Sequence, residues 1–157
     1  MDRFLELYEK VYIDMYRLAF FYLGNSQDAE DAVSEAVLKA YEKFDTLRKE
    51  ESFRAWIFAI LVNQCKTQWK KRSLSETVEL KEEPSYHPSL EDQVLIEDLL
   101  SCLSSEERKI VVLAVFGGYK GDEIAKMLGC KHSTIRSKYR RALKKLERKL
   151  LAEEVLR

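Results

Sequence analysis

An all-α fold, two small helical domains joined by a flexible acidic linker with the second ending in a helix-turn-helix, is what this sequence predicts. Three observations predict it. Glycine and proline are scarce, 5 and 2 in 157 residues, which leaves few breaks for strands or long loops. Apolar residues recur at spacings of three and four along most of the chain, the period of one helical face. Near the C-terminus a short apolar-periodic segment (Ile124, Ala125, Leu128) is followed by a Gly129-Cys130-Lys131 break and a longer, basic helical pattern.

The first helix is expected from about Arg3 to Tyr22, with Phe4, Leu7, Tyr8, Val11, Met15, Leu18 and Tyr22 along one stripe. Gly24 is placed to end it, and Asn25 or Ser26 to cap the next. The second helix, Gln27 to Phe44, turns Ala32, Val33, Ala36, Val37, Ala40 and Phe44 inward. Its other face opens with Asp28, Glu30, Asp31 and Glu35 and closes with Lys39 and Lys43, an order that complements the helix dipole. A polar stretch, Asp45 to Glu51, leads to Ser52, which has N-cap chemistry for a third helix, Phe53 to Arg72. That helix carries Phe53, Trp56, Ile57, Ile60, Leu61, Cys65 and Trp69, and its end is basic, with Lys66, Lys70, Lys71 and Arg72. Three amphipathic helices of this length bury one core, so the first domain is read as residues 1–72.

Residues 73–89, SLSETVELKEEPSYHPS, hold both prolines and no sustained period, and read as a linker. From Ser73 to Glu91 one Lys stands against five Glu; from Asp92 to Arg157 fourteen Lys or Arg stand against ten Asp or Glu. A net charge of zero therefore hides an acidic connector and a basic C-terminal module, a charge that matters for nucleic acid. The second domain, residues 90–157, begins with a helix from Leu90 to Leu103 whose apolar positions are Leu90, Val94, Leu95, Leu99 and Leu103. A capping box, Ser104-Ser105-Glu106-Glu107, then opens an apolar helix through Ile110 to Phe116, which Gly117-Gly118 stops.

In the last helix Ile135, Tyr139, Leu143, Leu146 and Leu150 are assigned to the packed face. Between them lie Arg136, Lys138, Arg140, Arg141, Lys144, Lys145, Arg148 and Lys149, with Glu147 the one acid before Leu150. The second helix of such a motif enters a DNA major groove by its N-terminal half, here Ser133, Thr134, Arg136, Ser137 and Arg140. Arginine is suited to bidentate contact with guanine, and lysines such as Lys144 to phosphates. A solvated basic face on a bundle helix is the bland alternative.

Other chemistries find little support. Cys65, Cys102 and Cys130 are isolated, with no CxxC and no nearby pair of histidines, which argues against a metal and fits a reducing cytoplasm. His87 and His132 have no nucleophile, phosphate loop or metal cluster beside them, so neither an enzyme nor a bound cofactor is expected. The N-terminus, MDRFLELYEK, is charged and helix-periodic, unlike a signal peptide, and no apolar run nears the roughly 20 residues of a membrane span.

Asp28-Ala-Glu-Asp-Ala-Val-Ser-Glu35, FRAWIFAILVNQ from Phe53 to Gln64, and EIAKMLGCKHSTIRSKYRRALKKL from Glu123 to Leu146 together resemble bacterial RNA polymerase sigma factors of the extracytoplasmic-function group. The resemblance covers both domains in order. It implies a first domain that binds the clamp helices of the largest subunit of core RNA polymerase and opens the downstream (−10) element of promoter DNA. It implies a last domain that reads the upstream (−35) element, and an anti-sigma factor as inhibitor.

Residue by residue, it puts clamp binding on Asp31, Glu35 and Lys39, and strand opening on the loop that contains Leu47 and on Asn63. Trp56 matches a family tryptophan, although its spacing also suits the core. Lys66 and Lys70 would hold the adjacent phosphates. Upstream reading falls on Arg136, Ser137, Arg140 and Arg141, with Thr134 and Lys138 near phosphates. Asn63 is either satisfied inside the bundle or faces DNA, because an unpaired buried amide is costly. The chain departs from the family pattern at Ser34 (usually Gln), Leu47 and Lys49 (often an aromatic and a glycine), Lys120 (usually a cap) and Arg140 (usually aromatic or aliphatic). The runner-up is an ordinary helix-turn-helix repressor or activator, with a ligand pocket or a two-fold interface and a palindromic site.

Overall fold

A computed structural model of the protein describes residues 2–74 and 90–155. The expected linker from residue 75 on, including His87, lies outside the described residues. Among the described residues there are eight α-helices and no strand, and they fall into two compact units.

The N-terminal unit contains α1 (Arg3–Glu9), α2 (Tyr12–Leu23), α3 (Ser26–Glu42) and α4 (Phe53–Leu74), with short 3₁₀ turns at Phe44–Thr46 and Glu50–Ser52. The single first helix expected from the sequence is two. The chain leaves helical geometry at Val11 (φ −121°, ψ −9°), whose N–H bonds to the Tyr8 carbonyl at 3.0 Å. Val11, Tyr12 and Ile13 are all poor helix formers, and the break still buries Val11. The apolar stripe survives it: Phe4, Leu7, Val11, Met15, Leu18 and Tyr22 are all buried, with Tyr8 half-buried.

Gly24 ends α2 in the left-handed region at φ 86°, and the Asn25 side-chain oxygen caps α3 by accepting from the Asp28 N–H at 2.8 Å. A third tie comes from the far end of the unit, where the Arg72 guanidinium donates to the Leu23 carbonyl at 2.5 Å. One side of α3 is nearly all alanine: Ala29, Ala32, Ala36 and Ala40 are fully buried, with Val33 beside them. Side chains this small let α3 pack directly on α2 and α4. The helix stops at Glu42, and Phe44 instead meets Phe4 and Phe53 edge-on, at ring separations of 5.3 and 6.2 Å.

Helix α4 runs two residues past the expected Arg72. Its buried face includes Phe53, Ile57, Leu61 and Cys65 as expected, together with Phe58 and Val62. Trp56, Ile60 and Trp69 are only half-buried, because α4 is covered on the side that α2 and α3 occupy. Burial raises the Cys65 thiol to about 12, so it is a protonated packing group at neutral pH.

The C-terminal unit contains α5 (Leu90–Leu100), α6 (Ser105–Val115), α7 (Gly121–Leu128) and α8 (His132–Val155). Helix α5 ends before the expected Leu103, where the Cys102 thiol bonds back to the Leu99 carbonyl and the Leu103 N–H to the Leu100 carbonyl. Of its apolar positions with described burial, Leu100 is buried and Leu99 half-buried, while Val94 and Leu95 are exposed. The capping box forms in full: Ser104 N–H donates to Glu107 Oε1 at 2.9 Å, and Glu107 N–H to Ser104 Oγ at 3.2 Å. Lys120 cannot accept such a bond, so α7 keeps half of the arrangement, its backbone N–H donating to Glu123 Oε1 at 3.0 Å.

Helix α8 corrects the expected packed face. Ile135 and Ala142 are buried and Tyr139 and Leu146 half-buried, whereas Leu143 and Leu150 are 44% and 49% exposed. The reason is angular. Seven residues turn a helix by about 700°, within 20° of the starting direction, while eight overshoot it by about 80°.

Candidate nucleic-acid and protein interfaces

Between α7 and α8 the chain turns at Gly129, held left-handed at φ 68°, and the Cys130 N–H closes the turn on the Ala125 carbonyl at 3.0 Å. Ile124 and Ala125 of α7 and Ile135 of α8 are buried, which fixes the two helices as one motif. This leaves the N-terminal half of α8 outward. Arg136, Ser137, Arg140, Arg141 and Lys144 are exposed at spacings of three and four, and Thr134 is half-buried at the start of the helix.

Lys138 does not belong to that row. Its ammonium bonds to the Glu106 carboxylate of α6. Lys145 pairs likewise with Glu107 at 2.7 Å, and Lys149 with Asp98 at 3.6 Å and with the Ser101 hydroxyl at 2.9 Å. The Lys145 hydrogen bond, with the Ser104 backbone next, holds the buried Glu107 carboxyl below the ordinary range. The basic helix therefore carries two rows of cations, one outward and one turned back on its own unit. Sequence reading missed this division, because the acids lie on other helices.

On α4, Trp56, Asn63, Lys66 and Lys70 share a face, at steps of seven, three and four. Asn63 is exposed, which disposes of the buried-amide alternative, and its backbone carbonyl accepts from the Thr67 hydroxyl at 3.0 Å. Trp56 is half-buried against Phe53, at a ring separation of 6.0 Å, so it serves the core and still presents an edge. Leu47 stands apart from this face, half-buried between the two 3₁₀ turns. That connection is anchored by Glu50, which accepts two bonds from the Arg3 guanidinium at 2.9 and 2.6 Å. The Arg3 bond lowers the Glu50 carboxyl.

On α3, Asp31, Ser34 and Glu35 are exposed opposite the alanine side. Leu38 continues their row at 59% exposure, an apolar side chain one turn beyond two acids. Sequence reading missed it; its spacing from Asp31 and Glu35 was the available signal. Lys39 leaves the row: its ammonium donates to the buried Gln64 Oε1 of α4 at 2.8 Å.

Among the described residues no group of three or more His, Cys, Asp or Glu could hold a metal ion, and no helix is long and apolar enough to cross a membrane.

Comparison with known proteins matches the two units to two separate family models. Residues 7–74 match the family model for Sigma-70 region 2, and residues 93–146 that for Sigma-70, region 4. The chain is 32% identical over 150 residues to the RNA polymerase sigma factor SigV of Bacillus subtilis, covering 90% of this chain and 87% of SigV. It is 28% identical over 153 residues to the ECF RNA polymerase sigma factor SigM of Mycobacterium tuberculosis, covering 94% and 76%. Among solved structures, the sigma factor RpoE of Bartonella quintana, in complex with the anti-sigma factor NepR, superposes with a TM-score of 0.67 at 26% identity, covering 92% of this chain and 96% of that one. CnrH, in complex with the cytosolic domain of CnrY, shares the fold at a TM-score of 0.61 and 21% identity, covering 95% and 88%.

Proposed function

The chain belongs to the sigma-70 family of RNA polymerase sigma factors, in the extracytoplasmic-function group, and from that premise we propose how its surfaces divide the work of initiation. As a sigma factor it binds core RNA polymerase and directs transcription to particular promoters, without a catalytic centre of its own. The outward row of α8, with Arg136, Ser137, Arg140 and Arg141, reads the upstream element, with Thr134 and Lys144 at phosphates. The α4 face takes the separated strand: Asn63 offers its amide to an unstacked base, Trp56 an aromatic edge, and Lys66 and Lys70 charge for the backbone. Leu47 approaches the same strand from the anchored connection. Asp31 and Glu35, with Leu38 beside them, meet the clamp helices of the largest polymerase subunit.

The observation that carries this reading is the outward row of α8, exposed cations behind a closed helix-turn-helix while the remaining lysines are neutralised internally. The setting is the cytoplasm, where core polymerase is, and an anti-sigma factor holds the protein inactive. The complex of the Bartonella relative with NepR supports that last step. The test is reconstitution. The protein with core polymerase should give a transcript from a discrete promoter that neither component gives alone. A folded protein that fails to co-purify with core overturns the assignment.

A further inference from the structure

The three lysines that α8 turns inward are held in different ways. Lys145 meets a buried carboxylate that also closes a helix cap, and Lys149 bonds to the Asp98 carbonyl and the Ser101 hydroxyl besides its ion pair. Each thus has a partner built into a helix end. Among the described residues Lys138 bonds to Glu106 alone, and Glu106 is 69% exposed in its side chain, at the first turn of α6. Lys138 itself lies between Arg136 and Arg140, two residues from each. A lysine released at that place extends toward the nearest phosphate of a duplex in the groove. The carboxylate occupies it as a phosphate would, and the bond to Lys138 lowers the Glu106 carboxyl.

We infer that Glu106 is a specificity-determining residue for promoter binding, holding Lys138 off the DNA backbone so that sequence-independent affinity stays low. The inference rests on the assignment of the outward row of α8 to DNA. Phosphate contacts supply nearly all non-specific binding, and discrimination is the ratio of specific to non-specific affinity. A sigma factor that left all eight cations of α8 to the backbone would raise both and gain no discrimination.

The experiment uses the full chain and a random-sequence duplex, titrated by fluorescence anisotropy between about 50 and 200 mM salt. Glu106→Gln is expected to bind more tightly at low salt and to steepen the salt dependence by about one phosphate contact, an additional loss of roughly threefold across that range. Lys138→Met alone should leave the slope unchanged, and combined with Glu106→Gln it should cancel the gain. Glu106→Ser, which keeps a polar first-turn residue, repeats the measurement if the Gln variant melts early. An unchanged slope in these variants overturns the inference. So does a gain that persists without Lys138, since that would be simple removal of a repelling charge. Arg140→Ala separates the two levels of the argument. If it lowers the slope while the Glu106 variants do nothing, α8 still reads DNA and only the role of Glu106 fails. If it too does nothing, the assignment of α8 fails and the inference with it.

Discussion

Lys39 and Gln64 meet across the α3–α4 interface, Nζ to Oε1 at 2.8 Å. Gln64 is a buried amide on the core side of α4, and the ammonium satisfies its oxygen. A lysine that the sequence offers as part of a partner surface thereby has its ammonium tied to a neighbouring helix of its own unit, although the residue is exposed. Lys39→Met should lower the unfolding free energy by about 1–2 kcal/mol, read from urea titration, because it leaves a buried acceptor unmet. Co-purification with core polymerase, corrected for folded protein, should be unchanged. Lost binding at unchanged stability would return Lys39 to the interface.

The row opposite the alanines should behave in the reverse manner. Asp31→Lys combined with Glu35→Lys replaces attraction by repulsion and is expected to abolish co-purification with core polymerase. Leu38→Ala should weaken it by about 1–2 kcal/mol. All three side chains are exposed, so melting should move little. A double variant that still co-purifies removes this row from the contact.

On α8, two exposed cations should fail differently. Arg136→Ala is expected to cost about 1–3 kcal/mol on the cognate upstream element and to relax preference at one base pair. Lys144→Ala should weaken all sequences alike and lower the salt slope by roughly one unit. Equal, sequence-independent losses from both would mean that the reading face is misplaced.

Asn63→Ala changes an exposed amide, so stability should stay within about 0.5 kcal/mol of the parent. Closed-complex formation should persist, while permanganate reactivity of the melted strand falls on duplex templates and recovers on pre-melted ones. Full melting of duplex by the variant would exclude base capture by this residue.

Acid should weaken the C-terminal unit through Glu107. Its carboxyl is lowered on folding, first by Lys145 and then by the Ser104 backbone, so around the ordinary carboxylate range the unfolded chain holds the proton more readily. The stabilisation is present above the ordinary carboxylate value and is lost as pH falls through the folded one. The melting temperature of wild type should therefore exceed that of Glu107→Gln most near neutrality, with the gap closing as pH falls below the ordinary carboxylate range. A gap that does not change with pH would take the charge out of the account.

Much of this was legible in the sequence, and the exceptions share a cause. The stripe from Phe4 to Tyr22, the caps at Asn25 and Ser104 and the turn at Gly129 depend on neighbours within a few residues, which spacing reveals. The break at Val11 was hidden because the apolar period runs straight across it. Hydrophobicity alone ranks Leu143 above Ala142, although the helix phase places the alanine inward. Among the proposed site residues, the exposure of Asn63, Arg136, Arg140, Asp31 and Glu35 could be read from their distance from an apolar stripe. The partners of Lys39 and Lys138 could not, since they are an amide and a carboxylate on other helices, 25 and 32 residues away.

The alanine side of α3 has a consequence for divergence. Ala29, Ala32, Ala36 and Ala40 have no exposed surface, and one added branch at any of them forces helices apart, at a typical cost of 1–3 kcal/mol. On the opposite face, Asp31, Ser34, Glu35 and Leu38 are exposed. The helix is thus frozen along one edge and open to drift along the other. On the proposed assignment of Asp31 and Glu35 to the clamp helices, duplicated copies of such a gene can change how strongly they compete for a shared polymerase by rewriting the outer edge alone, with no compensating change in the interior.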